Sequence, residues 1–340
     1  MNEAPRTAMA REIAEIPAIG ERLLARREHL AEIAARIDRA RPRIVVLCGR
    51  GSSGHVGVYL RYLFEARYGV LVSAAAPSVI TTYLRLPDMR ETLFVVISQS
   101  GRSPDIVMAT EVARSLGALT LALVNDEASP AAQAAELVFP IGAGTESAVA
   151  ATKTVALTMM AGAQIVATLT RDPDLGQALL RLPQRLARAL ACDWSAWGDS
   201  LETASAAFVA ARGYGFGTAR EIALKLTETL RLPALGYSTA ELRHGPRAAI
   251  GRATPVLVLR QGDETAATAD DLVRDLCQAG NNVFSAGGPA ATLPWLDDDH
   301  PVSDPIAMLL PAYRAIEAAA RRAGLDPDNP PYLNKVTSTL

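Results

Sequence analysis

The chain has few of the residues that build metal centres and disulfide frameworks. Only three of its 340 residues are cysteine and four are histidine. Cys48, Cys192 and Cys277 stand far apart, with no CxxC pair and no metal-ligand spacing. That argues against a zinc site or disulfide scaffold and favours a reducing, cytoplasmic setting. His29, His55, His244 and His300 are equally scattered, so no metal or other cofactor is expected. An excess of one charge is missing too. Thirty-four basic and 36 acidic residues leave a formal net charge of −2, without the basic stripe that nucleic acid demands. No uninterrupted apolar run reaches the ~18 residues of a membrane span, and residues 1–17 are charged and amphipathic, unlike a signal peptide. What is present is a large apolar fraction, 49%, enough for a sizeable core. The length predicts roughly two domains at ~150 residues each.

Residues 7–39 place Ile13, Ile16, Ile19, Leu23, Leu24, Leu30 and Ile33 at helical spacing. Pro17 and Gly20 are expected to interrupt this arm, which should pack on the body or on a partner subunit. From Arg43 the pattern becomes β–α. Apolar runs at 44–47, 70–75, 93–97, 119–124 and 137–140 predict strands, separated by helices near 56–68 and 105–116. Such alternation predicts a parallel sheet covered by helices. Residues 152–171 come closest to a membrane span. Lys153, Thr154, Thr158, Gln164 and Thr168 interrupt them, so a buried helix is expected. Residues 172–200 look like a helical linker. A second α/β unit follows, with strands at 206–211, 255–259 and 282–285 and helices at 218–230, 267–279 and 305–323. The predicted division is an arm over 1–40, a first subdomain over 41–185 and a second over 186–340. The turn after 44–47 (CGRGSSGHV) and that after 206–211 (ARGYGFGTA) hint at a duplicated topology.

Two strand-to-helix turns in the first subdomain carry the same chemistry. One contains Arg50, Gly51, Ser52 and Ser53; the other contains Ser98, Gln99, Ser100, Arg102 and Ser103. Small hydroxyl residues and glycine at a helix start suit a phosphate, because free N–H groups and the positive end of the dipole point at the ligand. Ser103 fits an N-cap and Pro104 the first helical position. Serine, glycine and proline are also ordinary turn residues, so each loop alone is ambiguous. Neither carries the P-loop lysine, and no acidic ribose partner follows. A small phosphorylated metabolite is favoured over a nucleotide.

Glu221, Lys225 and Glu228 are spaced i, i+4 and i+7, which puts them on one helix face. A solvated, salt-bridged face would look the same. The surrounding Ile222, Ala223, Leu224 and Leu226 suggest burial instead, and buried charges are costly unless paired or used. The Gly213-Tyr214-Gly215 turn before this helix should aim its first turns at the ligand edge. His244, next to Gly245-Pro246, is a plain turn histidine or an acid–base group near neutrality. Lys335 is a lone tail lysine, able to form a Schiff base if it meets a carbonyl.

Taken together, these motifs resemble the sugar-isomerase (SIS) domain family, most closely the isomerase half of glucosamine-6-phosphate synthase and the deaminases related to it. The matching stretches are MAREIAEIP (9–17), RGSSGHVGVYLRYLFE (50–65), SQSGRSPD (98–105), ESAVAATKT (146–154), ARGYGFGTAREIALKLTETL (211–230), STAELRHGP (238–246) and DPDNPPYLNKVTSTL (326–340). The resemblance implies two tandem SIS subdomains, each a five-stranded parallel sheet flanked by helices. It implies that Arg50, Gly51, Ser52, Ser53, Ser98, Gln99, Ser100 and Ser103 hold the sugar phosphate, with Val149, Ala151 and Asn334 also at the substrate. It implies that Glu228 moves a proton between C1 and C2 while Lys225 assists. His244 would open the ring in a neighbouring subunit's site, so a homodimer with shared active sites follows. Lys335 would form the Schiff base with the open-chain ketose phosphate.

Three departures bear on activity. Position 2 is asparagine where the synthase has a nucleophilic cysteine, so glutamine is not the expected ammonia source. Arg102 stands where synthases carry an acid, and Ala151 where they carry serine. The expected activity is therefore deamination and isomerisation of glucosamine 6-phosphate to fructose 6-phosphate and ammonia. Another aldose–ketose isomerase, a fructosamine-phosphate deglycase and a non-catalytic sugar-phosphate sensor are the alternatives. The expected partner is a small phosphorylated amino sugar, with no nucleic acid and no membrane.

Overall fold

A computed structural model describes residues 7–85 and 87–335. The chain divides into two compact units, each assembled from separate stretches. One comprises Ala18–Thr145, Thr154–Leu180 and residues 334–335; the other comprises residues 7–17, Glu146–Lys153 and Arg181–Leu333.

The first unit contains one parallel sheet of five strands: β1 (Ile44–Cys48), β2 (Leu71–Ala74), β3 (Thr92–Ser98), β4 (Leu119–Val124) and β5 (Leu137–Pro140), in the order β2-β1-β3-β4-β5. β3 and β4 lie centrally and are buried along nearly their whole length, which is why their sequences are continuous apolar runs. β2 is an edge strand and mostly exposed. Phe94, Val96, Ala122 and Val124 pack with Ile106 and Ala109 in a shared core. The strand order reverses between β1 and β3. Sheets of this kind bind ligands in the crevice that opens at such a reversal.

The helix expected near 56–68 begins five residues earlier, as Gly51–Leu63, and ends in a π-helical turn, Phe64–Tyr68. Apolar periodicity starts only at Val56, so it misses a first turn made of glycine and serine. The Lys153–Thr170 helix is buried on almost every side, as its all-round apolar composition requires. Among the described residues, no helix is long and apolar enough to cross a membrane.

The other unit holds β6 (Ala207–Ala211), β7 (Ala234–Ser238), β8 (Pro255–Leu259) and β9 (Asn282–Ala286), parallel and in the order β7-β6-β8-β9. The connectivity repeats that of β1–β4, so the duplicated topology is present. β7 escapes the sequence pattern because it contains Gly236 and no β-branched residue, a composition with weak strand preference. The second sheet has four strands among the described residues, where five were expected. The segment after β9 contains Pro294, which cannot donate to a ladder, and is tied down by arginines instead. Arg185 donates to the Asp297 carbonyl at 2.7 Å, Arg260 pairs with Asp298 at 3.4 Å, and Arg181 pairs with Asp299.

The N-terminal helix, Ala8–Leu24, runs through Pro17 and Gly20 without interruption. Its apolar stripe, Met9, Ile13, Ile16, Ile19 and Leu23, is buried throughout. Burial of about 1.5–3 kcal/mol per large side chain outweighs penalties of about 3 kcal/mol for proline and 1 kcal/mol for glycine.

Candidate active site

The two serine-rich turns lie side by side in the first unit, at the carboxyl ends of neighbouring strands β1 and β3. Ser52 and Ser53 occupy the first turn of the Gly51–Leu63 helix, and both are partly accessible. After β3, the Ser98 hydroxyl accepts the Gly101 N–H at 3.0 Å and the Ser100 hydroxyl accepts the Arg102 N–H at 3.4 Å. Gly101 adopts φ +64°, and a Cβ there would sit 2.2 Å from Ser129 Oγ. Only glycine fits this turn. Ser103 stands at the N-cap of the Pro104–Ser115 helix with Pro104 at its start, but its hydroxyl makes no capping bond. Ser98, Gln99, Ser100 and Ser103 are all partly accessible.

The arginines behave differently from each other. Arg50 forms an ion pair with the buried Asp105, in the first turn of the Pro104–Ser115 helix, and so ties the two turns together. Asp105 went unnoticed in the sequence because it reads as part of the helix start. Arg102 points its guanidinium at Asp126, 2.8 Å away. Its positive charge is therefore committed to a neighbour that follows β4.

The corresponding turn in the other unit is closed. Gln261 is buried, and its Nε2 donates to the Arg212 carbonyl at 3.1 Å and to Asp263 at 3.3 Å. A Cβ on Gly215 would come within 2.2 Å of Gln261 Oε1. A protein carboxamide fills the place where the first unit offers hydroxyls, so the repeat is one of topology and not of binding chemistry.

Glu221, Lys225 and Glu228 share one face of the Gly215–Leu230 helix, as their spacing requires. Glu221 and Lys225 are fully buried, while Glu228 keeps about a fifth of its side chain accessible, 21%. Lys225 bonds to Glu228 and lies 3.5 Å from Glu221. Burial works against the charged lysine. Glu221, Glu228 and the nearby Glu146 outweigh it and raise the pKa above the ordinary lysine value. Lys225 is thus held as a cation. The same Glu221 oxygen, Oε1, accepts the Tyr313 hydroxyl at 3.3 Å. Burial, together with Glu221, pushes the Tyr313 phenol well above its usual pKa, so it stays a donor. Tyr313 lies 92 residues from Glu221 in sequence, and nothing local marks it.

The Gly213-Tyr214-Gly215 turn opens this helix, with Gly215 as its first residue. Glu228 lies near the helix end, thirteen residues after Gly215, which is about 20 Å along the axis at 1.5 Å per residue. Glu228 therefore lies toward the opposite end of the helix from its glycine turn, while Glu221 lies midway along it.

Val149 and Ala151 are partly accessible in the loop that precedes the Lys153–Thr170 helix. Its neighbour Glu146 accepts the Thr152 N–H at 3.0 Å. His244 is exposed beyond the short Thr239–Leu242 helix, where its N–H donates to the Glu241 carbonyl at 3.0 Å. In the tail Asn334 is exposed and Lys335 partly buried. Among the described residues, no cluster of three His, Cys, Asp or Glu side chains is placed to hold a metal ion.

The SIS domain family matches residues 39–168 and 200–283. The chain belongs to the SIS-domain family. The chain is 30% identical over 346 residues to a glutamine–fructose-6-phosphate aminotransferase (isomerizing) of Methanothermobacter thermautotrophicus, covering 96% of this chain and 56% of the relative. It thus spans about half the length of the curated relatives it matches. Among solved structures, a Silicibacter pomeroyi DSS-3 protein described as a candidate phosphosugar isomerase superposes with TM-score 0.91. It is 37% identical and is covered completely by 95% of this chain. A glucosamine-6-phosphate deaminase of Thermotoga maritima shares the fold, with TM-score 0.80 and 19% identity over 98% of this chain and all of that one. This SIS-domain chain thus stands among phosphosugar isomerases and the isomerase domains of aminotransferases.

Proposed function

We propose that this SIS-domain chain deaminates and isomerises an amino-sugar 6-phosphate, converting glucosamine 6-phosphate and water to fructose 6-phosphate and ammonia. The observation that carries the reading is the buried cation Lys225 bonded to Glu228, the member of the cluster that solvent reaches. A carboxylate held this way suits proton transfer, because it is oriented by its bond to a cation and accessible. The serine turns at the β1/β3 reversal offer donors for the phosphate.

In this reading His244, exposed in its turn, assists opening of the sugar ring. Glu228 removes the proton from C2 of the open-chain aldose and returns it to C1, so the C2 amine becomes an imine. Water adds to that imine, ammonia leaves, and the ketose phosphate remains. Lys335 can engage the C2 carbonyl as a Schiff base, losing one water. The active form is a cytoplasmic homodimer in which His244 serves the partner's site. The relatives named for aminotransfer to fructose 6-phosphate and for deamination of glucosamine 6-phosphate support this substrate class.

A coupled assay for ammonia from glucosamine 6-phosphate and galactosamine 6-phosphate tests the reading. No ammonia from either sugar sinks it. Interconversion of aldose and ketose phosphates without ammonia keeps the proton shift and removes the deamination. Release of a free amino acid from a fructosamine phosphate identifies a deglycase. Thermal stabilisation by sugar phosphates with no turnover identifies a sensor.

A further inference from the structure

The loop carrying Val149 and Ala151 and the tail carrying Asn334 and Lys335 are far apart in sequence, yet both engage the start of the N-terminal helix. Three consecutive N–H groups of the loop are spoken for. Glu12 accepts from Ser147 and, at 3.4 Å, from Ala148, while the Asp328 carbonyl accepts from Val149 at 2.9 Å. The Asp328 carboxylate turns the other way. Its two oxygens accept the N–H groups of Ala8 and Met9 at 2.7 and 2.8 Å. These N–H groups open the Ala8–Leu24 helix and have no acceptor within it, and the dipole there favours an anion. One residue therefore joins helix start, loop and tail. Nearly two helical turns further on, Glu15 pairs with the buried Lys153 at 2.7 Å and closes the other end of the same loop.

The tail is stiff around this point. Asp326 accepts the N–H groups of Asp328 at 2.9 Å and Asn329 at 3.3 Å, and its other oxygen accepts the Asn329 side chain at 3.0 Å. Buried Pro327 and Pro330 flank Asp328. Lys335 follows only seven residues later. An anchor so near, on a proline-restricted segment, limits the volume that the lysine can sample.

We infer that Asp328 is a positioning residue that sets the Lys335 tail and the Val149–Ala151 loop in a fixed relation through the N-terminal helix. The inference rests on the functional reading above for what Lys335 does. It does not need Asp328 to touch substrate. A carboxylate and a carbonyl of one residue, bonded to two different segments, transmit position by geometry alone.

The test is borohydride trapping of fructose 6-phosphate. The Lys335 amine and the C2 ketone condense to an imine with loss of water, and borohydride reduces the imine to a stable secondary amine found on the tail peptide by mass spectrometry. Asp328→Ala should lower trapping at Lys335 and kcat together by about tenfold, with inhibition by inorganic phosphate unchanged. Asp328→Asn, which keeps an acceptor oxygen, should recover most of both and remains measurable if the alanine variant folds poorly. Amide hydrogen exchange at residues 147–149 should quicken in the alanine variant without any substrate. If the wild type traps and both variants trap equally well, the positioning role is overturned even where their melting temperatures fall. If the wild type traps nothing, the functional reading fails, and the catalytic consequence of Asp328 fails with it.

Discussion

The ammonium of Lys225 lies 3.5 Å from the carboxylate of Glu221, and both side chains are fully buried. Neither charge would survive there alone, since isolated buried ions cost several kcal/mol even after relaxation. Lys225→Met leaves Glu221 and Glu228 without their shared cation. It should destabilise the chain by about 3–5 kcal/mol, read from urea unfolding. The double variant Lys225→Met/Glu221→Gln removes the stranded charge as well and should recover a substantial part of that loss. A Lys225→Met chain as stable as wild type would mean that the cation compensates nothing.

Glu228 differs from Glu221 in reaching solvent while sharing the same lysine. Glu228→Gln keeps an oxygen for Lys225 to bond and removes the base. It should lower kcat for glucosamine 6-phosphate by about 10²–10⁴-fold, while KM moves little, because the lost interaction belongs to the transition state. Steady-state kinetics with ammonia detection decides this. A variant turning over at the wild-type rate would remove Glu228 from the chemistry.

How far the sequence carried this picture depends on the range of each interaction. Strands β3, β4 and β8 announce themselves because burial on both faces forces apolar runs. β7 does not, because it is shaped by pairing with β6 rather than by its own residues. The Glu221–Lys225–Glu228 face follows from helical spacing, a local property. Tyr313, which completes it, comes from a helix 92 positions away and looks like any apolar-helix tyrosine. The serine turns were legible as turns. That Arg50 joins them while Arg102 turns to Asp126 depends on which strands are neighbours, and composition holds no record of that. The placement of Glu228 at the far end of its helix could have been read from length alone, by counting 1.5 Å per residue from Gly215.

If the serine turns hold the phosphate as proposed, Gly101 ties backbone shape to that binding. Its φ of +64° and the 2.2 Å approach to Ser129 Oγ leave no room for a methyl group. Gly101→Ala should cost about 1–3 kcal/mol of stability through strain in the left-handed region, and it should displace the Ser98 and Ser100 hydroxyls. Inorganic phosphate should then inhibit more weakly than in wild type. Ser100→Ala, which leaves the backbone intact, should weaken phosphate inhibition by about tenfold or more, the worth of one hydrogen bond to a charged group. Unchanged phosphate inhibition in both variants would place the anion elsewhere.

Asp304 is buried at the start of the Asp304–Arg322 helix, which carries Tyr313. Burial pushes its carboxyl up to about 6 from an ordinary 3.8, against the attraction of Arg185 and with some help from Asp298. Between those two values the folded chain holds a proton that the unfolded chain has released. Stability contributed by this group therefore falls as pH rises through the window, and the full cost is present above the folded value. At 1.36 kcal/mol per pH unit the shift is worth about 3 kcal/mol. Asp304→Asn cannot titrate. Measured by urea unfolding at several pH values, the variant should gain on the wild type by about that amount between pH 4 and pH 7, even if it is less stable throughout for losing its charge opposite Arg185. A wild-type-minus-variant difference that stays constant over this range would mean that Asp304 keeps its charge in the folded chain, with Arg185 compensating its burial in full.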